Sequence, residues 1–117
     1  MRIVERTPLG ETGLQVSRLG AGLSWIERTS PGDVEAAGRV LDAALDGGIN
    51  FLDTAACYGI SEEVVGRTVS HRRREFVLAT KCGHVTAGYV GQPWSATTVK
   101  DSIERSLRRM KTDYLDL

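Results

Sequence analysis

Four short apolar runs, at residues 19–23, 49–54, 76–81 and 114–117, are separated by stretches whose apolar residues recur every third or fourth position. Short runs of this kind suit buried strands, and the wider spacing suits helices with one apolar face, so the chain reads β-α-β-α-β-α-β. Strands joined by helical crossovers run parallel with right-handed connections. In such α/β sheets the chemistry gathers on loops that follow the C-terminal ends of the strands.

The helical stretches carry their own start and stop signals. The first opens at Ser30 with Pro31 just inside, places Val34, Ala37, Leu41, Ala44 and Leu45 on one face, and stops at Gly47-Gly48. In the second, Ser61 is placed as the cap, Glu62 and Glu63 lie in the positive first turn, and Val64, Val65 and Val69 face inward. The third begins between Ser95 and Thr98 and predicts a buried stripe of Val99, Ile103, Leu107 and Met110, with Arg105, Arg108, Arg109 and Lys111 toward its negative end. Ahead of the repeat, residues 3–9 and 14–17 flank Gly-Glu-Thr-Gly and predict a β-hairpin that acts as a lid. No low-complexity segment or linker divides residues 1–117, which read as one domain, although residues 83–94 form a long glycine-rich connection.

Composition narrows the classes of function. With 117 residues, 41% of them hydrophobic, and 15 basic against 15 acidic side chains, the chain can bury one modest core. A zero formal net charge gives no electrostatic reason to expect nucleic acid or an anionic membrane as partner, and no window approaches the ~20 apolar residues of a membrane span. The N-terminus lacks an apolar stretch of signal-peptide length, so a cytoplasmic address is expected. Cys57 and Cys82 read as free thiols, Cys57 as a small buried apolar residue. Cys82 and His84 are too few for a metal shell, so no metal site is expected. Arg72–Arg74 reads as a solvated loop and His71 as exposed. Gly20-Ala21-Gly22 fails the dinucleotide fingerprint, because its third glycine would fall at Trp25, and no phosphate loop of the nucleotide-hydrolase type occurs.

What remains is a cluster at the predicted strand ends. Asp53 ends the second strand, Tyr58 lies in the loop after it, and Lys81 ends the third. A carboxylate and an ammonium at the rim of a low-dielectric core stabilise one another as ions. An ammonium beside a phenol favours the phenolate, which makes the hydroxyl a better acid. Such an acid suits a reaction that builds negative charge on a carbonyl oxygen, hydride reduction being the obvious case, and the hydride must come from a cofactor. Trp25, Tyr89 and Trp94 lie in loops on the same predicted side and are candidates for lining a substrate pocket, as is His84 for approaching the site. Structural readings stay open for all of them: an ion pair at a strand end, aromatics covering the core rim.

Residues 9–22 (LGETGLQVSRLGAG), 48–59 (GINFLDTAACYG), 61–67 (SEEVVGR), 78–81 (LATK) and 102–117 (SIERSLRRMKTDYLDL) together resemble the aldo-keto reductase family over essentially the whole chain. The resemblance implies a (β/α)₈ TIM barrel with an N-terminal hairpin over its bottom, reducing aldehydes and ketones with NADPH, or NADH, and without metal. It implies a catalytic set of Asp53, Tyr58 and Lys81 as lysine partner, proton donor and activating cation. The family's fourth catalytic residue is a histidine shortly beyond the strand that begins DYLDL. It implies cofactor contacts at Gly22, Leu23 and Ser24, with Asp53 near the nicotinamide ribose.

A barrel of this type takes ~250 residues, so four of its eight β/α units are expected here, about half a barrel with an open edge. The isolated chain is therefore expected to be inactive and to self-associate through that edge. Its substrate would be a small carbonyl compound, or an alcohol or sugar oxidised by the same chemistry. The alternative is a non-catalytic binding subunit, because relatives of the family include potassium-channel β subunits.

Overall fold

The computed structural model describes residues 4–117. The hairpin comes first: β1 (Arg6–Pro8) and β2 (Gln15–Ser17) pair antiparallel, with Arg6 opposite Ser17, and Gly10 and Gly13 adopt positive φ in the turn as its geometry demands. Ile3 lies outside the described residues. A parallel sheet follows in the order β3 (Ala21–Gly22), β4 (Phe51–Asp53), β5 (Val77–Ala79). Its register sets Ala21 beside Leu52 and Leu78, and Gly22 beside Asp53 and Ala79. The first row faces the helices, where Leu52 and Leu78 are fully buried; the second row forms the other face, on which Asp53 is exposed.

Three helices cover one face only. α1 (Val34–Asp46) runs out of a short 3-10 turn at Pro31–Asp33 and buries Val34, Ala37, Gly38, Leu41 and Leu45. α2 (Ser61–Thr68) buries Val64 and Val65, and α3 (Ala96–Met110) is capped by Ser95, whose side chain accepts from the Thr98 N–H at 3.2 Å. Leu23, Ile26, Leu41, Leu52, Val64, Val65, Val69, Leu78 and Met110 meet in one core between sheet and helices. The molecule is a slab of 47 × 39 × 21 Å with a radius of gyration of 14.4 Å. A compact chain of this length would have about 13 Å, the difference reflecting the uncovered face.

The stripe predicted for α3 is rotated. Its buried residues are Thr98, Ser102, Ser106 and Met110, whereas Ile103 is 38% exposed and Val99 and Leu107 are only half-buried. The cause is the closeness of α2: a Cβ on Gly66 would overlap the Arg109 carbonyl oxygen, and only small side chains fit where the two helices meet. Ile103 and Leu107 instead line a groove of about 390 Å³ with Tyr114, Leu115 and Leu117 at the edge of the sheet.

Two further expectations are corrected. Residues 114–117 lie beside β5, with Asp116 N–H and Leu117 N–H both reaching the Leu78 carbonyl (3.0 and 3.3 Å) and Thr80 N–H reaching the Leu117 carbonyl (3.2 Å), yet they form no regular strand. The Asp116 carboxylate takes the Leu78 N–H at 2.8 Å, a donor that a regular ladder would give to a backbone carbonyl. Nor is Arg72–Arg74 a solvated loop. Arg72 bonds Asp42, Asp46 and Glu75, and buried Arg73 bonds Asp116 (2.8 Å) and the carbonyls of Phe76 and Tyr114. Burial of an arginine follows from satisfying its fork of donors, a matter of distant partners that a local run does not reveal. His71 is exposed as expected.

Candidate active site

The hairpin and the candidate site occupy opposite ends of the strands. Asn50, just before β4, ties the hairpin down: its side-chain oxygen accepts from Ser17 N–H (2.6 Å), its side-chain amide donates to the Gln15 carbonyl (2.9 Å), and its own N–H donates to Ser17 Oγ (2.9 Å). The hairpin therefore closes the N-terminal end of the sheet and leaves the C-terminal end open.

At that open end Asp53 and Lys81 meet. Asp53 sits beside Ala79, and Lys81, two residues further along, returns to the same face. Lys81 Nζ donates to Asp53 Oδ1 at 2.8 Å and to the Thr54 carbonyl at 3.0 Å, and it stands 5.2 Å from the centre of the Tyr58 ring. The side chains of Lys81 and Asp53 are 49% and 52% exposed, so both remain within reach of a ligand. Desolvation works against the charge on Lys81, but the hydrogen bond and attraction of Asp53, with a smaller contribution from Tyr58, outweigh it and raise the lysine above its ordinary range. Lys81 is thus a lasting cation at neutral pH.

A cavity of about 300 Å³ opens in front of this group, lined by Cys57, Tyr58, Lys81, Cys82, His84 and Trp94. The predicted candidates are sorted by it. His84 and Trp94 reach the cavity and pack edge to face, their ring centres 5.0 Å apart. Trp25 packs against the core instead, and Tyr89 is drawn away by a 2.8 Å hydrogen bond to Asp101. Cys57 is exposed rather than buried, because the loop turns it outward just before Tyr58; both cysteines are free. Trp94 holds a positive φ, and its N–H donates to the Gly83 carbonyl at 2.8 Å; its ring occupies the space a Cβ on Gly83 would need.

The model of the aldo/keto reductase family matches residues 18–117. The chain belongs to the aldo-keto reductases. It is 37% identical over 119 residues to the uncharacterized oxidoreductase YqkF of Bacillus subtilis, covering 97% of this chain and 38% of that protein. It is 36% identical to the L-galactose dehydrogenase of Arabidopsis thaliana, covering 100% and 38%. Similarity extends to a protein of Oryza sativa subsp. japonica named "probable voltage-gated potassium channel subunit beta", 34% identical, covering 93% and 34%. A crystal structure of a Pseudomonas aeruginosa protein assigned to the same family superposes with a TM-score of 0.82 at 41% identity, covering 94% of this chain and 44% of that one. The chain thus spans about two-fifths of the length of these relatives, and its fold is about half of an aldo-keto reductase TIM barrel.

For a dinucleotide at the end of β3, the surfaces on offer are unequal. Gly22 is exposed and a Cβ there would meet nothing within 4 Å; with Asp53 it borders a second cavity of about 430 Å³ that extends along the open face of the sheet toward the hairpin residues Thr7, Val16 and Ser17. Ser24 is exposed at the start of a 3-10 turn. The Leu23 side chain is in the core, its N–H bonds the Asp53 carbonyl (2.9 Å) and its carbonyl accepts from Ser61 Oγ (3.3 Å), so a ligand could meet only its backbone. Gly22 and Ser24 thus leave exposed surface at the end of β3, beside Asp53.

Ser61 and Glu62, with their partners Thr54, Thr80 and Ser106, form a buried polar group beneath the site that the sequence does not announce. Ser61 is not the cap of α2; the cap position is Ile60, and the Ser61 hydroxyl turns inward to Thr54 Oγ1 at 2.7 Å. Glu62, read as a first-turn charge, is 1% exposed and accepts from Thr80 Oγ1 (2.7 Å) and Ser106 Oγ (2.6 Å). A serine followed by two glutamates ahead of an apolar run looks like an exposed N-terminus, and only the position of α3 shows that the first glutamate points inward.

Proposed function

We propose that this chain contributes the proton-donating half of an aldo-keto reductase barrel that reduces aldehyde or ketone carbonyls, or oxidises the corresponding alcohols or sugars, with NADPH or NADH as the hydride partner. The observation that carries the reading is the contact of Lys81 with Asp53 at 2.8 Å while its ammonium faces the Tyr58 ring at 5.2 Å. Gly22, Ser24 and Asp53 would hold the nicotinamide cofactor, which supplies the hydride when bound. Asp53 anchors Lys81. Lys81, kept cationic by that anchor, favours negative charge on the Tyr58 oxygen, and Tyr58 hands its proton to the carbonyl oxygen as charge develops there. Cys57, His84 and Trp94 wall the space in which a small carbonyl compound would lie.

The similarity to the rice channel β subunit supports a second reading, a binding subunit that uses the same half-barrel without turnover. Retention of all three polar groups in contact favours the enzyme. We place the protein in the cytoplasm, consistent with two unpaired thiols and with no described helix long and apolar enough to cross a membrane.

By itself the 117-residue chain is inactive in this reading, and it self-associates through residues 114–117 and the apolar groove beside them. Size-exclusion chromatography should return dimers or larger species without NADPH oxidation; a stable monomer that oxidises NADPH would sink that part. The enzyme itself is tested by joining residues 1–117 to the remaining barrel units of the Pseudomonas aeruginosa relative. Such a folded chimera should consume NADPH with a generic aldehyde and lose this with Tyr58→Phe. A folded chimera that binds NADPH but turns over nothing would favour the binding subunit.

A further inference from the structure

The first two residues of α2 grip the neighbours of both ions in the candidate site. Ser61 Oγ lies 2.7 Å from the hydroxyl of Thr54, the residue that follows Asp53 and whose carbonyl receives Lys81 at 3.0 Å. Glu62 Oε1 accepts at 2.7 Å from the hydroxyl of Thr80, the residue that precedes Lys81, and at 2.6 Å from Ser106 on α3. Ser61, Glu62, Thr54 and Ser106 are all buried. The other oxygen of Glu62, Oε2, has no hydrogen-bond partner; the nearest cation, Arg109 Nη1, is 3.6 Å away.

A half-satisfied carboxylate at such depth is a poor choice for packing alone, since an apolar side chain of similar volume would fill the space without the desolvation penalty. What the carboxylate offers is direction. A hydroxyl donating to a charged oxygen is held more tightly and at a better defined angle than one donating to a neutral group. Lys81 has a long, flexible stem, so where its ammonium rests depends on where its backbone leaves the sheet.

We propose that Ser61 and Glu62 are positioning residues: through Thr54 and Thr80 they fix the two strand ends so that the Lys81 ammonium rests on Asp53 and in front of Tyr58. The consequence for turnover rests on the reductase reading, whereas the placement of Lys81 does not. The titratable groups around Lys81 are Asp53 at the end of β4, and Tyr58, Cys57, Cys82 and His84 from the loops after β4 and β5.

The chain has three lysines, Lys81, Lys100 and Lys111, so their titrations can be separated by NMR of ¹³C-methylated amines in the 117-residue protein. In the parent chain Lys81 should titrate above the ordinary lysine value of 10.5. Thr80→Val, which removes the hydroxyl and keeps the shape at a partly exposed position, should bring Lys81 back toward that value, as should Glu62→Ala. Glu62→Gln keeps an oxygen acceptor for both hydroxyls and should restore the upward shift. In the chimera, Thr80→Val and Glu62→Ala should each lower kcat about tenfold or more with KM for the aldehyde little changed, and Glu62→Gln should retain most of the activity that Glu62→Ala loses.

An unchanged Lys81 titration in folded Thr80→Val would overturn the proposal. So would unfolding of Thr80→Val, which would make the contact purely structural. Absence of turnover in the unmutated chimera would count against the reductase reading alone and leave the titration result standing.

Discussion

The two ends of the sheet use polar residues in opposite ways. At the N-terminal end, Asn50 spends its side chain and its N–H on the hairpin and its carbonyl on the Val77 N–H, and Arg73 closes onto Asp116 and two carbonyls, both out of solvent. At the C-terminal end, Lys81 and Asp53 are joined by one contact and stay half-exposed, while the groups that hold them, Thr54, Ser61 and Glu62, are buried. The first arrangement makes a floor. The second makes a mouth: firm underneath, with unspent bonding capacity facing outward.

That contrast can be broken experimentally, and the largest effect should come from the mouth. In the completed barrel, Tyr58→Phe should lower turnover by ~10²–10⁴-fold while leaving stability within ~0.5 kcal/mol, because the ring keeps its packing and only a proton donor is lost. NADPH absorbance and a denaturation curve on one sample measure both quantities. Unchanged turnover would remove Tyr58 from the proton-donor role.

The floor should respond the other way round. Arg73→Ala leaves the Asp116 carboxylate without its cation and should destabilise the chain by about 3–5 kcal/mol, read as a lower urea midpoint. Asn50→Ala removes the two side-chain hydrogen bonds between hairpin and sheet, which at roughly 1 kcal/mol each should total about 2 kcal/mol. Chimeras carrying Asn50→Ala should keep normal turnover per folded molecule; a selective loss of kcat would erase the division between floor and mouth.

Lys81→Met sharpens the comparison further. Its ion pair is half-exposed, so stability should fall by no more than ~1 kcal/mol although turnover collapses.

The smallest effects should come from pH. Lys81 is raised in the folded chain, so its contribution is fully present below the ordinary lysine value of 10.5 and fades as pH climbs through the folded value. Glu75 behaves inversely: its hydrogen bond to Arg72 holds the carboxyl below its ordinary 4.5, so its contribution is present above that value and is lost as pH falls through the lowered one. A stability profile should sag slightly at both extremes and stay flat between them. A sharp maximum centred near neutrality would contradict this assignment.

Much of this could be read in advance. The hairpin, the three parallel strands, α1 with its Val34, Ala37, Leu41 and Leu45 face, and the start of α3 between Ser95 and Thr98 all follow from local spacing and local chemistry. Even the meeting of Asp53 with Lys81 follows once β4 and β5 are known to be adjacent with Asp53 beside Ala79, because side chains two residues apart share a face. The misread elements have a common cause. Ser61 reads as a cap and finds a buried hydroxyl; Glu62 reads as a first-turn charge and finds Thr80 and Ser106; Arg73 reads as part of a solvated loop and finds Asp116. In each case a polar group chose a partner 7 to 44 positions away over the local one.

Periodicity and glycine placement carry information about the bonds a residue makes within a turn or two of chain, and these suffice to write the order of strands and helices and to bring a carboxylate, a phenol and an amine to one rim. Which face of α3 is covered, and which polar side chains are taken inside, depends instead on how near the backbones of α2 and α3 come at Gly66. That distance is a property of the packed whole. Desolvation penalties are large enough that a polar group will follow whatever partner packing brings within reach, and no local pattern encodes which partner that will be.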